Sequence, residues 1–90
     1  MTNNNTDDLS ALRTQIDDID EQLVKLLNER ARLALQVGII KKGENIYRPR
    51  REAEVLKHVV QASDGPLSDE ALKRIFEAVI LVCRTIQHTK

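Results

Sequence analysis

Cysteine is almost missing from this 90-residue chain: Cys83 stands alone, so no internal disulfide can staple the fold. His58 and His88 are isolated from it and from each other, and no Cys/His set has zinc-ligand spacing. Aromatic residues are reduced to Tyr47 and Phe76, which leaves no platform for stacking nucleic-acid bases. Neither sign of charge is in excess, with 14 Lys and Arg against 14 Asp and Glu, and a general nucleic-acid binder usually carries surplus basic residues. No apolar run is long enough to span a membrane. The start Met1-Thr2-Asn3-Asn4-Asn5 is polar and lacks the apolar run of a signal peptide. The expectation is one soluble, cytoplasmic domain with no zinc site. A chain this short, with no staple, buries a modest fraction of its surface, so a partner subunit is a natural source of extra core.

What is present is helical periodicity. Residues 1–8 are expected to form a flexible lead-in, with Thr6, Asp7 or Asp8 capping the first helix. From Leu9 the apolar residues recur at helical spacing through Leu12, Ile16, Ile19, Leu23, Leu26, Leu27, Leu33, Ala34, Val37 and Ile40. No proline interrupts this run to about Lys42, and its one glycine is Gly38. It predicts a helix roughly 50 Å long, which needs a second long element beside it. The chain's other helices are shorter, so that element is expected to be a second copy. Gly43 to Arg50 is expected to be a link, with Gly43 as helix stop and Pro49 in the first turn of a second helix ending near Ala62. Ser63-Asp64-Gly65-Pro66 is a turn signal, and Ser68 is placed to cap a third helix reaching about Gln87. Its inward stripe is Leu72, Ile75, Phe76, Val79, Ile80, Cys83 and Ile86. The fold class is therefore all-α: three helices, long, short and medium, over a domain of residues 9–88 with a tail at 89–90.

Polar residues fall on these stripes. Seven residues after Leu23 the stripe meets Arg30, and a buried charge is costly unless paired. Arg30 is either a snorkelling or interface-paired arginine, or an anion receptor inside the bundle. Lys41 lies eleven residues on, near the same face, roughly 16 Å along the axis. Lysines near a helix C-terminus are also ordinary. Glu52 leads the second stripe, where it can accept from a ligand hydroxyl or simply sit in a first helical turn. Arg51 is a carboxylate binder or plain surface, and Gln87 is an inward amide or a solvated helix end. One chain could not easily bring Arg13 and Arg30 onto a small molecule; by analogy with helical hairpins, an antiparallel second copy could bring its Arg13 toward the middle of the first. There is no Ser-His-Asp set, no histidine partner for Cys83 and no glycine-rich phosphate loop. The profile suits a dianionic substrate and a reaction driven by positioning and electrostatics.

The ordered set is familiar. Leu12-Arg13, Ile16-Asp17, Ile19-Asp20, Leu26-Leu27-Asn28-Glu29-Arg30 and Val37-Gly38 to Lys41 resemble the first helix of the helical-class chorismate mutases. Arg51-Glu52-Ala53-Glu54-Val55-Leu56 resembles their second-helix motif, and Gly65-Pro66-Leu67-Ser68 with Ile75-Phe76 resembles the entry to their third. The resemblance covers about Leu9 to Gln87. It implies an intertwined homodimeric helical bundle that rearranges chorismate to prephenate, on the way to phenylalanine and tyrosine, without cofactor or covalent intermediate. It implies that Arg30 binds a substrate carboxylate, joined by Arg13 of the other subunit. Lys41 and Gln87 would donate to the ether oxygen, Glu52 would accept from the ring hydroxyl, and Arg51 would support the second-helix wall. Arg48 and Cys83 complete the expected substrate-binding set. One departure stands: some relatives carry an acid shortly before the Arg-Glu pair, where this chain has Arg48. Glu52 would then hold the hydroxyl alone, with Arg48 one helical turn away from it.

Three rival readings follow. An isochorismate pyruvate lyase shares the fold and also needs cations for two carboxylates. A non-catalytic helical dimerisation or regulatory module would have no reason to keep Arg30, Lys41, Glu52 and Gln87 all inward. A nucleic-acid binder would use Lys41, Lys42, Arg48, Arg50, Arg51 and Lys57, but Glu44, Glu52 and Glu54 interrupt that cluster.

Overall fold

The computed structural model describes the backbone of residues 4–41 and 48–87, and the side chains of 7–41 and 48–87. Three helices follow one another: α1 (Asn4–Lys41), α2 (Pro49–Ala62) and α3 (Asp69–Gln87). Among the described residues there is no strand, and no helix is long and apolar enough to cross a membrane. The expected stop at Gly43, most of the link before Arg48 and the tail 89–90 lie outside the described residues.

α1 starts at Asn4, five residues ahead of the expected Leu9, so Thr6, Asp7 and Asp8 lie inside the helix instead of capping it. No proline or glycine stops the helix from extending through them, and Asp7 in the first turn suits the positive end of the helix dipole. At 38 residues α1 is about 57 Å long by helical rise. α2 opens on Pro49, whose missing N–H falls where a helix needs none. The carbonyl of Arg48 already accepts from Glu52 N at 2.9 Å, which closes the first turn. α2 ends as Ser63 N donates to Val60 O, and Ser63 Oγ accepts from Gly65 N in the following turn. Ser68 caps α3 as its sequence position requires: Oγ accepts from Ala71 N at 3.1 Å, with Asp69 and Glu70 in the first turn.

α3 packs against both other helices, whereas α1 and α2 make no close backbone approach among the described residues. A gap therefore opens between α1 and α2 over the C-terminal half of α3. On α2, Glu52, Val55, Leu56, Val59 and Val60 are half-buried; the expected α3 stripe is half-buried too, except that Cys83 is buried and Ile75 is 47% exposed. Ile75 shares the edge of the α3 stripe with Val82, seven residues on, and both stay open.

The core is thin. Cys83 is the one buried residue among those described, while thirteen large apolar residues of α1 remain exposed. The chain measures 66 × 28 × 15 Å with a radius of gyration of 17.7 Å, against about 12 Å for a compact domain of this length. The N-terminal half of α1, with Leu12 56%, Ile16 55% and Leu23 49% exposed, projects with its apolar stripe uncovered.

Candidate active site

The gap between the C-terminal half of α1, α2 and the end of α3 is a cavity of about 320 Å³. That is the lower end of the usual size of small-molecule sites. Leu33, Val37, Val55, Ile80 and the buried Cys83 supply its apolar lining. Five cationic side chains, Arg30, Lys41, Arg48, Arg51 and Arg84, line it against one carboxylate, Glu52. Gln87 completes the wall. An excess of positive charge in a low-dielectric cleft raises the local concentration of small anions.

Seven of the eight residues singled out from sequence thus converge here: Arg30, Lys41, Arg48, Arg51, Glu52, Cys83 and Gln87. Arg13 does not line the cavity; it lies exposed on the projecting half of α1.

Arg30 is half-buried, and among the described residues no hydrogen bond or ion pair engages it. It projects from α1 because it continues the apolar stripe that meets α3. A partly desolvated guanidinium with no protein partner keeps its full demand for an anion. Lys41, the last described residue of α1, adds a point charge at the other end of the cavity. Arg51 leans outward, pairing with Glu54 at 3.7 Å while both side chains are mostly exposed. Such a solvated pair contributes little.

Gln87 is half-buried, not a solvated helix end: its Nε2 donates to the carbonyl of Ala34 at 2.7 Å. The approach of α3 to α1 at this level uses Gly38. A Cβ there would lie 3.4 Å from Gln87 Cγ and 3.5 Å from its Cβ.

Arg84 was not singled out from sequence, yet it makes the firmest polar link between α2 and α3. Its Nη1 donates to Glu52 Oε2 at 2.5 Å, with both side chains about a quarter exposed. Its position carried a signal, four residues after Ile80 and three before Gln87, on the same face of α3. The neighbouring Cys83 drew the eye because it continued the apolar pattern.

Chemically, the arrangement offers receptors for anionic groups, a neutral donor and a carboxylate acceptor around one small volume. No group of three or more His, Cys, Asp or Glu able to hold a metal occurs among the described residues.

Comparison with known proteins identifies the family. The family model for chorismate mutase type II matches residues 12–88. The bifunctional chorismate mutase/prephenate dehydratase of Pseudomonas aeruginosa is 43% identical over 88 residues, covering 90% of this chain and 24% of that protein. The protein of the same name from Aquifex aeolicus is 37% identical over 87 residues, again covering 90% of this chain and 24% of the relative. The chain thus spans about a quarter of the length of these curated relatives. Among solved structures, the chorismate mutase from Helicobacter pylori in complex with prephenate superposes with a TM-score of 0.83 at 37% identity, covering 88% of each chain. Form II of the Thermus thermophilus chorismate mutase gives 0.87 at 27% identity, covering 91% of this chain and 96% of that one. A family match over residues 12–88, together with a shared fold, shows that this chain belongs to the chorismate mutase type II family.

Proposed function

We propose that the chain converts chorismate to prephenate by an intramolecular Claisen rearrangement. The observation that carries this is Arg30, half-buried in a cationic cavity and unpaired among the described residues. In the reaction the ether C–O bond breaks as a C–C bond forms within the same molecule. No proton, electron or leaving group departs, so the protein need supply neither nucleophile nor base. It must hold the substrate folded and stabilise the charge that grows on the ether oxygen.

Arg30 takes a substrate carboxylate. Lys41 and Gln87 donate to the ether oxygen, an interaction stronger in the transition state than in the ground state. Glu52 accepts from the ring hydroxyl, while Arg48 and Arg51 keep the α2 wall positive and Cys83 fills the wall of α3.

The working unit is an intertwined homodimer. Thirteen exposed apolar residues on α1 and a radius of gyration well above that of a compact chain support this reading, since both are expected of half of a shared core. A second copy laid antiparallel along α1 covers the stripe and brings its Arg13 to the open side of the cavity. Two such arginines make a pair of receptors for the two carboxylates of the substrate.

The test is to incubate the purified chain with chorismate, follow its loss and identify the product by chromatography. Prephenate formed by the native chain, and nearly lost in Arg30→Ala and Gln87→Ala, supports the reading. Salicylate and pyruvate from isochorismate, with no prephenate from chorismate, would replace it with the lyase. A folded dimer that turns over neither compound would leave a binding module.

A further inference from the structure

We propose that Arg84 is a positioning residue that acts through Glu52, holding its carboxylate in place to receive the ring hydroxyl. This rests on the mutase reading above. Arg84 Nη1 donates to Glu52 Oε2 at 2.5 Å across the α2–α3 boundary, at the cavity wall. With the two side chains 26% and 25% exposed, the pair is shielded from bulk water. The Arg51–Glu54 pair on the same helix is the internal contrast, at 3.7 Å with side chains 69% and 59% exposed. Arg51 is adjacent to Glu52 in sequence yet leans to Glu54, so Glu52 looks to another helix for this bond.

Two consequences follow from the geometry. A carboxylate has two acceptor oxygens, and Arg84 takes Oε2. Oε1 is the oxygen left to meet a substrate hydroxyl, so the bond selects a rotamer as well as a charge partner. Glu52 is also the one carboxylate lining a cavity that must admit a dianion. A neighbouring guanidinium offsets its repulsion of the substrate while leaving its acceptor intact.

A hydroxyl contact is made in ground state and transition state alike, so its loss raises KM more than it lowers kcat. Arg84→Ala should therefore raise KM on the order of tenfold, with kcat reduced less. Arg84→Lys keeps a charge but loses the planar fork, and should recover part of the loss. In a Glu52→Gln background, adding Arg84→Ala should change KM by less than about twofold, because the group through which Arg84 acts is already altered. A merely structural tie would instead lower the melting temperature and the active fraction with KM unchanged.

The experiment is steady-state kinetics on chorismate for the native chain, Arg84→Ala, Arg84→Lys, Glu52→Gln and the double variant, with circular dichroism on each. A raised KM that disappears in the Glu52→Gln background supports the proposal. An unchanged KM in a folded Arg84→Ala, or a full penalty that persists in the Glu52→Gln background, overturns it. The latter result would mean that Arg84 meets the substrate directly. Should Arg84→Ala lose its fold, Arg84→Lys carries the test: a KM raised a few-fold supports the proposal and a native KM overturns it. A native chain that makes no prephenate sinks the mutase reading together with this one. An active native chain beside an Arg84→Ala of native KM sinks this one alone.

Discussion

Gln87 Nε2 lies 2.7 Å from the carbonyl oxygen of Ala34, so the last turn of α3 is hydrogen-bonded to the backbone of α1 through the amide. By the helical pattern the Ala34 carbonyl also accepts from Gly38 N, and a carbonyl has two lone pairs for the two donors. A carbonyl neighbour requires the nitrogen, not the oxygen, of the amide on that side. In the proposed reaction the second N–H of the same nitrogen is then the donor offered to the ether oxygen. Gln87→Met keeps the bulk and removes the donor. It is expected to lower kcat by about 10²–10³, the usual cost of removing one donor to a developing oxyanion, with a smaller change in KM. Steady-state kinetics beside an unchanged circular dichroism spectrum would separate a lost donor from lost packing.

On the proposed reading, Arg30 carries function at the expense of stability. It is half-buried and engages no hydrogen bond or ion pair among the described residues, so removing it relieves a desolvation cost and breaks no such bond there. Arg30→Ala is expected to lose about 10²-fold or more in kcat/KM, while its melting temperature stays level or rises. Prephenate at saturating concentration should raise the melting temperature of the native chain and leave that of Arg30→Ala unmoved, because only a ligand that binds the folded state stabilises it. A melting temperature that falls sharply in Arg30→Ala would mean that the arginine holds the bundle together.

Gly38 sets the spacing between α1 and α3. An alanine Cβ would meet Gln87 Cγ at 3.4 Å, which is ordinary van der Waals contact. Glycine in a helix interior costs about 1 kcal/mol relative to alanine. Gly38→Ala should therefore be neutral or stabilising by up to about 1 kcal/mol, with activity close to native. Gly38→Val adds two methyl groups on a side already in contact with Gln87, and should displace the amide and depress kcat. Thermal melts and kinetics on the two variants check the pair; an inactive Gly38→Ala would mean that the spacing tolerates no side chain.

The helices were legible because their signals are local. The three-and-four spacing, Pro49 at a helix start and Ser68 ahead of Asp69 and Glu70 each act within a turn or two. Arg30, Lys41, Glu52 and Gln87 were legible because they are polar side chains on otherwise apolar stripes, which periodicity exposes; Arg51 was legible as the neighbour of Glu52, whereas the binding roles of Arg48 and Cys83 came only from the family resemblance. Arg84 was not, since its meaning depends on Glu52, 32 residues earlier on another helix. The start of α1 was misplaced because Asn, Thr and Asp both cap helices and occupy first turns, and sequence weighs the cap more heavily. The Ala34 carbonyl was invisible for a different reason: a backbone acceptor leaves no trace in residue identity.

The proposed dimer has a test that does not depend on measuring mass. If each site takes Arg30 from one chain and Arg13 from the other, Arg13→Ala and Arg30→Ala homodimers are both defective at both of their sites. In a mixed dimer, the chain with intact Arg30 meets the partner with intact Arg13, and one site is whole while the other lacks both arginines. Random exchange of equal amounts makes half the molecules mixed, so about a quarter of the native sites should return on mixing. Unfolding and refolding the two variants together, then assaying against each refolded alone, gives the readout. Recovery near that fraction requires a shared site. No recovery, with mixed dimers demonstrated by a size tag on one variant, would mean that Arg13 serves its own chain or none. Ile16→Glu places a charge in the middle of the exposed α1 stripe and should abolish both dimer and activity, whereas a monomer that keeps its turnover would show that the cavity of one chain is sufficient.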